Sequence, residues 1–303
     1  MSGAIGRPRI DAAAVRRTLR DAGLRARRAR SQNFLVDPDV LEAILEAAAP
    51  SIGCRVLEIG PGLGILTEGL LDAGASVTAV ELDHDLAGYL RERCAAAIAA
   101  GERGPGAPGA LRLIEGDALD QDLVHLLSPP YDVVANLPYH ITSPILHALL
   151  GTSPRPARLV LMVQREVAER ISAPPGGLSY LSVFVQYHAT IRIARLVPAE
   201  AFEPEPAVGS AIVVLEPRGD AARLPDPDRE DALWRLVQAS FRERRKMIHN
   251  VLARQLPIPA DRLAAALRAA GVAPDRRPQT LAVEEWVTLL EALGPIGPDR
   301  RGR

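Results

Sequence analysis

Residues 56–64 have the sequence Val-Leu-Glu-Ile-Gly-Pro-Gly-Leu-Gly, and this stretch decides the fold class. A short apolar run ends in glycines and passes into residues 65–73, where apolar side chains recur at helical spacing. A strand, a glycine turn and a helix in this order open a doubly wound α/β sheet. Glycine lets the backbone approach a ligand closely. Ile65 stands where a dinucleotide fingerprint has its third small residue, so the pattern argues against NAD.

Acidic residues follow at the ends of the next two predicted strands. The apolar stretch 75–81 ends in Glu81, at about the distance from the turn where such folds place a ribose-binding carboxylate. A strand-end Glu is otherwise often solvated surface. Asp117 follows the stretch 111–115, where its carboxylate can accept a hydrogen bond from an adenine amino group. Asp is also a favoured helix cap, and both roles stay open for Asp117.

A fourth apolar run, 131–135, is followed by the tetrapeptide Asn-Leu-Pro-Tyr at 136–139. An amide, a rigid turn and an aromatic face can together hold a flat base that bears an exocyclic amine. Taken alone, the tetrapeptide is an ordinary strand-to-helix turn, because Asn and Pro are common there for backbone reasons. The carboxyl ends of parallel strands meet at one edge of a sheet, where these folds bind ligands. The residues expected at this edge are Gly60, Gly62, Gly64, Glu81, Asp117 and Asn136.

The order of these motifs resembles that of a methyltransferase that uses S-adenosylmethionine and alkylates the N6 amine of adenine. Three further stretches narrow the resemblance: Ser31-Gln-Asn-Phe-Leu35, Phe202-Glu-Pro-Glu-Pro206 with Val208 and Ser210, and Phe241-Arg-Glu-Arg-Arg-Lys246 with Asn250. They are similar to motifs of the ribosomal RNA adenine N6,N6-dimethyltransferase family, specifically its small-subunit (KsgA or RsmA) branch. The resemblance covers about residues 25 to 255, with the motifs in the family's order.

The resemblance implies a class I, Rossmann-like fold: a doubly wound, mostly parallel seven-stranded sheet with a small C-terminal helical domain. It implies S-adenosylmethionine as cofactor, with Asn33 and Leu35 at the entrance of its pocket, and Phe202 covering one face of the substrate base. The expected reaction is N6,N6-dimethylation of adjacent adenosines in a loop of 16S rRNA, within the small ribosomal subunit or its precursor.

The tetrapeptide suggests how an amine of low nucleophilicity could be methylated. We hypothesise that the Asn136 side-chain oxygen and the Leu137 carbonyl each accept one N6 hydrogen, which favours the pyramidal amine. Pro138 would fix the turn and Tyr139 would stack on the base. Catalysis would then consist mainly of alignment, with electrostatic help for the developing charge. The adenosine must be flipped out or lie in a loop to enter.

Some alternatives remain open at this stage. Arg30-Ser31, Leu178-Ser-Tyr180 and Gly209 depart from the usual small-subunit pattern, and the first of them is closer to the erythromycin-resistance methyltransferases of large-subunit rRNA. The chain could also act chiefly as a ribosome-assembly factor in which binding matters more than catalysis. Methylation of DNA adenine or of a small molecule is a further alternative.

Charge distribution supports RNA as the partner, although the net charge of the 303 residues is only −1. Residues 1–31 contain nine arginines against Asp11 and Asp21, and a second cationic cluster lies near residue 245. Phosphate contacts dominate nucleic-acid affinity, so both segments are predicted to bind RNA. The predicted RNA-binding residues are Arg27, Arg28, Arg30, Arg242, Arg244, Arg245 and Lys246.

Other features of the composition are less specific. No apolar run reaches the length of a membrane span, and the N-terminus lacks a signal-peptide pattern. Cys54 and Cys94 have no metal-ligand spacing, so no metal site is predicted. We therefore expect a cytoplasmic, monomeric protein without a membrane association.

Proline and glycine positions suggest the domain organisation. We predict a basic arm at 1–31, a methyltransferase domain at 32–217, a linker at 217–227 and a helical domain at 228–303. Helices are predicted at 40–49, 228–256, 260–270 and 281–293, and a further strand at 158–163. A hairpin of residues 181–191 and 210–215 is predicted to close the sheet.

Overall fold

The computed structural model describes residues 11–27, 32–104, 106–219, 224, 226–243 and 245–296. The strands are β1 (Phe34–Leu35), β2 (Arg55–Ile59), β3 (Ser76–Glu81), β4 (Leu111–Glu115), β5 (Asp132–Asn136), β6 (Arg158–Gln164), β7 (Ala189–Val197), β8 (Phe202–Glu203) and β9 (Ser210–Pro217). The helices are α1 (Ala12–Asp21), α2 (Pro38–Ala48), α3 (Ile65–Asp72), α4 (His84–Arg93), α5 (Ala95–Arg103), α6 (Thr142–Gly151), α7 (Arg165–Ile171), α8 (Tyr180–His188), α9 (Pro227–Phe241), α10 (Ile248–Gln255), α11 (Ala260–Ala269) and α12 (Val283–Leu293).

Seven strands form one sheet in the order β4-β3-β2-β5-β6-β9-β7, which is the mostly parallel sheet that the sequence predicts. Strands β4, β3, β2, β5 and β6 pair in parallel, and β9 runs antiparallel to β6. The chain order reverses between β2 and its two neighbours, β3 and β5. This reversal is the topological switch point at which open α/β sheets bind ligands.

The apolar sequence of β6 matches its burial, and β3 is buried as well although it contains Ser76, Thr78 and Glu81. All six residues of β3 are buried, and so are the five central residues of β6. Strands that are covered on both faces read as unbroken apolar runs, without the alternation of half-exposed strands. The helices begin as their sequences indicate: Asp37 and Asp83 cap α2 and α4 through their side-chain oxygens.

The chain divides into two compact units, one with bounds Met1–Ala168 and Arg192–Pro217 and the other with bounds Glu169–Ile191 and Arg218–Arg303. Residues 169–191, which we assigned to the methyltransferase domain, thus fall in the second unit. Helix α1, which we assigned to a separate basic arm, falls in the first.

Helix α1 packs against the first unit through an apolar cluster that contains Val15, Phe34, Leu63 and Leu86. The Arg16 guanidinium also pairs with the Glu203 carboxylate at 2.8 Å. One side of this arginine-rich helix is therefore part of the packed domain.

The prediction of a strand at residues 181–188 is wrong, because these residues form α8. Their β-branched and aromatic side chains favour a strand. A capping box nevertheless starts a helix: Ser179 Oγ accepts the Ser182 N–H, and Ser182 Oγ accepts the Ser179 N–H. Nearly every residue of α8 is buried. Strand β7 begins only at Ala189, so the last strand of the sheet starts later in the chain than predicted.

The single helix predicted at 228–256 is also wrong, because α9 ends at Phe241 and α10 begins at Ile248. The new helix start is stabilised by backbone partners from distant residues. The Ile248 N–H donates to the Arg276 carbonyl at 2.7 Å, and the His249 N–H donates to the Pro274 carbonyl at 3.3 Å. Helix α10 has no side-chain cap at its N-terminus, so these long-range bonds satisfy N–H groups that the local sequence leaves without partners.

The core of the second unit contains apolar residues of α8 to α12, with Trp286 fully buried among them. The Trp286 ring lies 6.0 Å from that of Phe241, centroid to centroid. The Trp286 indole nitrogen has no hydrogen-bond partner among the described residues, so this side chain contributes through packing alone.

We expect Trp286→Ala to lower the free energy of unfolding by about 3–5 kcal/mol, because it leaves a large cavity in a packed core. Trp286→Phe is the matched control: it keeps a ring and removes the unsatisfied donor, so its cost should be clearly smaller. Denaturant unfolding followed by circular dichroism measures both. Equal losses for the two variants would contradict the packing account.

Candidate active site

A cavity in the first unit lies at the carboxyl ends of β2, β3 and β5, where the sequence predicts the site. Nearly all the expected residues line it, namely Asn33, Leu35, Gly60, Gly62, Glu81, Asp117, Asn136, Leu137, Pro138 and Tyr139. Gly64 and Phe202 do not line the cavity. The switch point of the sheet and the polar side chains predicted to bind ligand therefore coincide.

The glycine turn forms one wall of the cavity. Gly60 and Gly62 have φ values of 70° and 59°, a conformation that residues with a Cβ rarely adopt. A Cβ on Gly62 would approach the Phe34 ring to 3.3 Å, and one on Gly60 would lie 3.5 Å from Pro138. The turn is thus packed between the segment that contains Asn33 and the Asn-Leu-Pro-Tyr tetrapeptide.

Gly64 lies behind the cavity wall, at the start of α3. It is the N-cap of α3, with φ of 83°, and a Cβ there would lie only 2.7 Å from the Leu90 side chain. Its role is close packing of α3 against α4.

The Glu81 carboxylate is buried at the end of β3 and is fixed by two backbone donors. Its Oε2 accepts the Gly62 N–H at 3.0 Å, and its Oε1 accepts the Asp83 N–H at 2.8 Å. These two bonds hold the carboxylate in place at the wall of the cavity, which Glu81 lines.

Asp117 is a helix cap, as one of our two interpretations predicts. Its Oδ1 accepts the Leu119 N–H at 2.8 Å and caps the 3₁₀ turn Ala118–Asp120. The residue also lines the cavity beside Gly116. The capping bond orients the carboxylate without using its whole acceptor capacity, so the second interpretation remains compatible with the first.

Asn136 ends β5 with its side chain at the cavity wall. Its Nδ2 donates to the Asn33 carbonyl at 3.4 Å, which leaves the amide oxygen as the acceptor end of the side chain. The next residue continues the sheet, because the Leu137 N–H donates to the Met162 carbonyl at 3.1 Å. The strand end is therefore held against β6 as far as Leu137.

Tyr139 begins the short turn Tyr139–Ile141 that follows Pro138. Its hydroxyl lies 2.8 Å from Ser210 Oγ. Burial raises the pKa of the Tyr139 phenol, and the hydrogen bond with Ser210 partly offsets that rise. The phenol is therefore neutral at physiological pH, and the residue lines the cavity.

Phe202 does not line the cavity, so its expected role as a cover over the base stays a prediction. Its side chain is only 3% exposed and belongs to the hydrophobic core cluster that includes Leu35. Strand β8 pairs with β1, and this places Phe202 opposite Leu35. The pairing uses Phe202 for packing, so the expected cover over the base is absent from the cavity lining.

The predicted RNA-binding residues are only partly described, since Arg28, Arg30 and Arg244 lie outside the described residues. Arg27 contacts two carboxylates, Asp83 at 3.3 Å and Asp85 at 2.7 Å, both close to the end of β3. These pairs compensate much of its charge, which the sequence pattern did not indicate.

In the second unit, the Arg242 guanidinium donates to Gln255 Oε1 at 3.2 Å. Arg245 and Lys246 are exposed between α9 and α10.

Glu58 is a site residue to which our sequence analysis gave no role. It lies in β2 at 1% exposure, lines the cavity and accepts a hydrogen bond from the Thr67 hydroxyl at 2.7 Å. The pKa of Glu58 is raised to about 8, mainly because burial disfavours the charged carboxylate. The Thr67 hydrogen bond lowers the pKa, and the nearby Glu81 charge raises it further. An acid inside an otherwise apolar strand was the signal that could have identified it.

These features define the class of protein. The sheet order, the glycine turn after β2 and the fixed carboxylate at the end of β3 are those of a class I, Rossmann-like methyltransferase that uses S-adenosylmethionine.

Comparisons with known proteins narrow the class to a family. The sequence model of the family described as ribosomal RNA adenine dimethylase matches residues 23–294. A protein of Anaeromyxobacter sp. (strain K), named ribosomal RNA small subunit methyltransferase A, is 43% identical over 285 residues, which are 89% of this chain and 94% of that protein. The protein of the same name from Moorella thermoacetica is 40% identical and covers 91% of this chain and 95% of its own length. This chain belongs to the ribosomal RNA adenine dimethylase family.

Solved structures agree with the family assignment. The crystal structure of the 23S rRNA methyltransferase ErmE has a TM-score of 0.66 at 29% identity, covering 86% of this chain and 99% of that one. A dimethyladenosine transferase from Plasmodium falciparum has a TM-score of 0.69 at 26% identity, covering 84% and 95%. This protein is accordingly an S-adenosylmethionine-dependent methyltransferase.

The described residues contain no helix long and apolar enough to cross a membrane. Within the same residues, no three His, Cys, Asp or Glu side chains are grouped so that they could hold a metal ion.

We expect the stability of this protein to depend on Glu58 protonation. The pKa of this carboxyl is raised from 4.5 to about 8 in the folded chain. Between these values the folded state holds a proton that the unfolded state releases, so this contribution to stability decreases as pH rises through the window. The decrease is at most about 1.4 kcal/mol per pH unit.

Glu58→Gln mimics the protonated acid and should flatten this dependence. The measurement is the free energy of unfolding of both proteins at several pH values across the window, and the difference between them isolates Glu58. Parallel pH profiles for the wild type and the variant would contradict a protonated Glu58.

Proposed function

We propose that this protein methylates the N6 amine of adenosine in small-subunit ribosomal RNA, adding two methyl groups to each of two adjacent adenosines in a 16S rRNA loop during ribosome biogenesis. The family description and the names of relatives at 39–43% identity support this choice of substrate. The observation that carries the chemistry is the Asn136 side chain, which lines the cavity with its nitrogen bonded to the Asn33 carbonyl.

The cavity residues fit S-adenosylmethionine, which supplies an electrophilic methyl group on a sulfonium centre. The glycines at 60 and 62 leave room that a Cβ would fill, so the backbone can approach the cofactor closely. Glu81 would accept the ribose hydroxyls, and Asp117 would accept from the adenine amine. Asn33 and Leu35 would bound the opposite side, beside the glycine turn.

The substrate amine would bind at the acceptors of the tetrapeptide. In the first transfer, the Asn136 amide oxygen and the Leu137 carbonyl would each accept one N6 hydrogen and hold the nitrogen lone pair toward the methyl group. In the second transfer, the monomethylated amine would donate its one remaining hydrogen to one of these acceptors. Pro138 would fix the turn so that the Leu137 carbonyl points inward, and Tyr139 would stack on the base. Most of the rate enhancement would come from this alignment. The polar groups that face the developing positive charge contribute electrostatically.

Phe202 is assigned no contact with the base in this mechanism, because its side chain is buried and does not line the cavity. Tyr139 is therefore the stacking partner that we propose for the base.

The RNA would be bound by exposed cationic residues. In the second unit these include Arg245 and Lys246, and the N-terminal segment contributes the arginines of α1, with Arg17 and Arg20 exposed. We propose that Arg27 contributes less to RNA binding than its position suggested, since Asp83 and Asp85 contact its guanidinium.

The experiment that tests the function is a map of N6-methylated adenosines in rRNA from cells with and without the gene. Loss of dimethyladenosines from small-subunit rRNA alone supports the proposal. Loss from large-subunit rRNA would instead favour the resistance-type activity, and unchanged rRNA would reject both.

We expect Asn136→Ala to abolish most turnover and leave cofactor affinity nearly intact. Loss of one positioned hydrogen-bonding group in an oxyanion hole costs about 10²- to 10³-fold, and we expect a loss of the same order here. Single-turnover methyl transfer gives the rate, and calorimetry with S-adenosylmethionine gives the affinity. Turnover at the wild-type rate would refute the acceptor role, and a variant that still rescues subunit assembly in cells would show that binding and catalysis are separable.

We expect the double change Arg245→Gln and Lys246→Gln to weaken RNA binding and reduce its salt dependence. For each phosphate that the variant no longer neutralises, the slope of log affinity against log salt should become shallower by roughly 0.7 to 0.9. Arg268→Gln is the matched control, because Arg268 is exposed on α11 and belongs to neither predicted cluster. An unchanged slope in the double variant would place the phosphate-binding residues elsewhere.

A further inference from the structure

The hydrogen bond between Tyr139 and Ser210 joins two segments that are far apart in the sequence. The two hydroxyl oxygens are 2.8 Å apart, and either can be the donor. Tyr139 lines the cavity, whereas Ser210 does not. Ser210 is completely buried, so its hydroxyl is shielded from solvent and Tyr139 is its described partner.

Both ends of the Tyr139 side chain are fixed. At the backbone end, the turn after Pro138 is closed by the Ile141 N–H, which donates to the Pro138 carbonyl at 3.2 Å. The Thr142 hydroxyl also donates to the Tyr139 carbonyl at 3.3 Å. At the far end, the phenol oxygen is held by Ser210. A ring anchored at both ends cannot swing about its side-chain torsions without breaking a hydrogen bond.

Ser210 is itself held by the sheet. It begins β9, where it lies opposite Gln164 of β6. Strand β6 also pairs with β5, and there Asn136 lies opposite Met162. The Tyr139 ring therefore spans β6 and links the end of β5, which carries the acceptor amide, to the start of β9.

We infer that Ser210 is a positioning residue for methyl transfer: its hydroxyl holds the Tyr139 ring at the angle needed to stack on the substrate adenine beside the Asn136 amide. This inference rests on the proposed function. Ser210 does not line the cavity, so it would act only through the tyrosine. Stacking fixes the plane of the base, and the plane of the base sets the direction of the N6 lone pair.

The kinetic test is a double-mutant cycle of Tyr139→Phe and Ser210→Ala, with small ribosomal subunits that lack adenine dimethylation as substrate. Each single change should slow single-turnover methyl transfer roughly five-fold, which is about 1 kcal/mol at 1.36 kcal/mol per factor of ten. The double variant should also be slowed about five-fold, because both changes remove the same bond. S-adenosylmethionine affinity should stay within about two-fold of wild type.

Ser240→Ala is the matched control. Ser240 is equally buried and donates to the Leu236 carbonyl at 2.8 Å, but it lies in α9, far along the chain from the cavity residues. Its loss should leave the transfer rate unchanged and show no coupling to Tyr139→Phe. Additive slowing of about 25-fold in the Tyr139 and Ser210 double variant would overturn the inference. A wild-type rate for Ser210→Ala would also overturn it.

Thermal unfolding of the wild type, the two single variants and the Tyr139 and Ser210 double variant separates this inference from the proposed function. If the wild type transfers no methyl group to these particles, the proposed function fails. The hydrogen bond is still tested by the unfolding midpoints, in which the two changes should be non-additive. Additive shifts would show that the bond is absent in solution and would overturn the positioning role whatever the substrate is.

Discussion

The two hydrogen bonds that fix Glu81 are the constraint on which the cofactor site depends. In one bond the carboxylate accepts the Gly62 N–H, which joins the end of β3 to the turn after β2. In the other it accepts the N–H of Asp83, two residues further along the chain. A buried carboxylate is costly unless its oxygens are satisfied. Backbone donors therefore both permit its burial and set its direction. A Cβ on Gly62 would lie 3.3 Å from the Phe34 ring and one on Gly60 would lie 3.5 Å from Pro138, so the same turn packs closely against the segments on either side of the cavity.

Local sequence signals were sufficient for the parallel half of the sheet. Strands β2 to β6 have apolar runs that end in turn or polar residues, and the glycine spacing identified the switch point. The polar residues at the strand ends line one cavity because the carboxyl edge of a parallel sheet brings them together. The roles of these residues toward cofactor and substrate rest on the chemistry of their side chains and on the family resemblance, so those roles remain proposals.

The failed predictions of secondary structure have tertiary causes. The apolar residues of α8 favour a strand by propensity, but a serine capping box and burial on all sides make them a helix. The break between α9 and α10 depends on carbonyls of Pro274 and Arg276, which no local pattern reveals. Phe202 is buried because β8 pairs with β1 across a large separation in sequence. The bond between Tyr139 and Ser210 has the same long-range origin.

Helix α1 has two different sides. Its arginines face outward, while Val15 packs with Phe34, Leu63 and Leu86, three residues that also line the cavity. Only one layer of side chains therefore separates this helix from the space for the methyl donor. Residues of α1 can therefore influence the donor site although none of them lines the cavity. A change on the apolar side of α1 would reach the donor site as a shift in that layer.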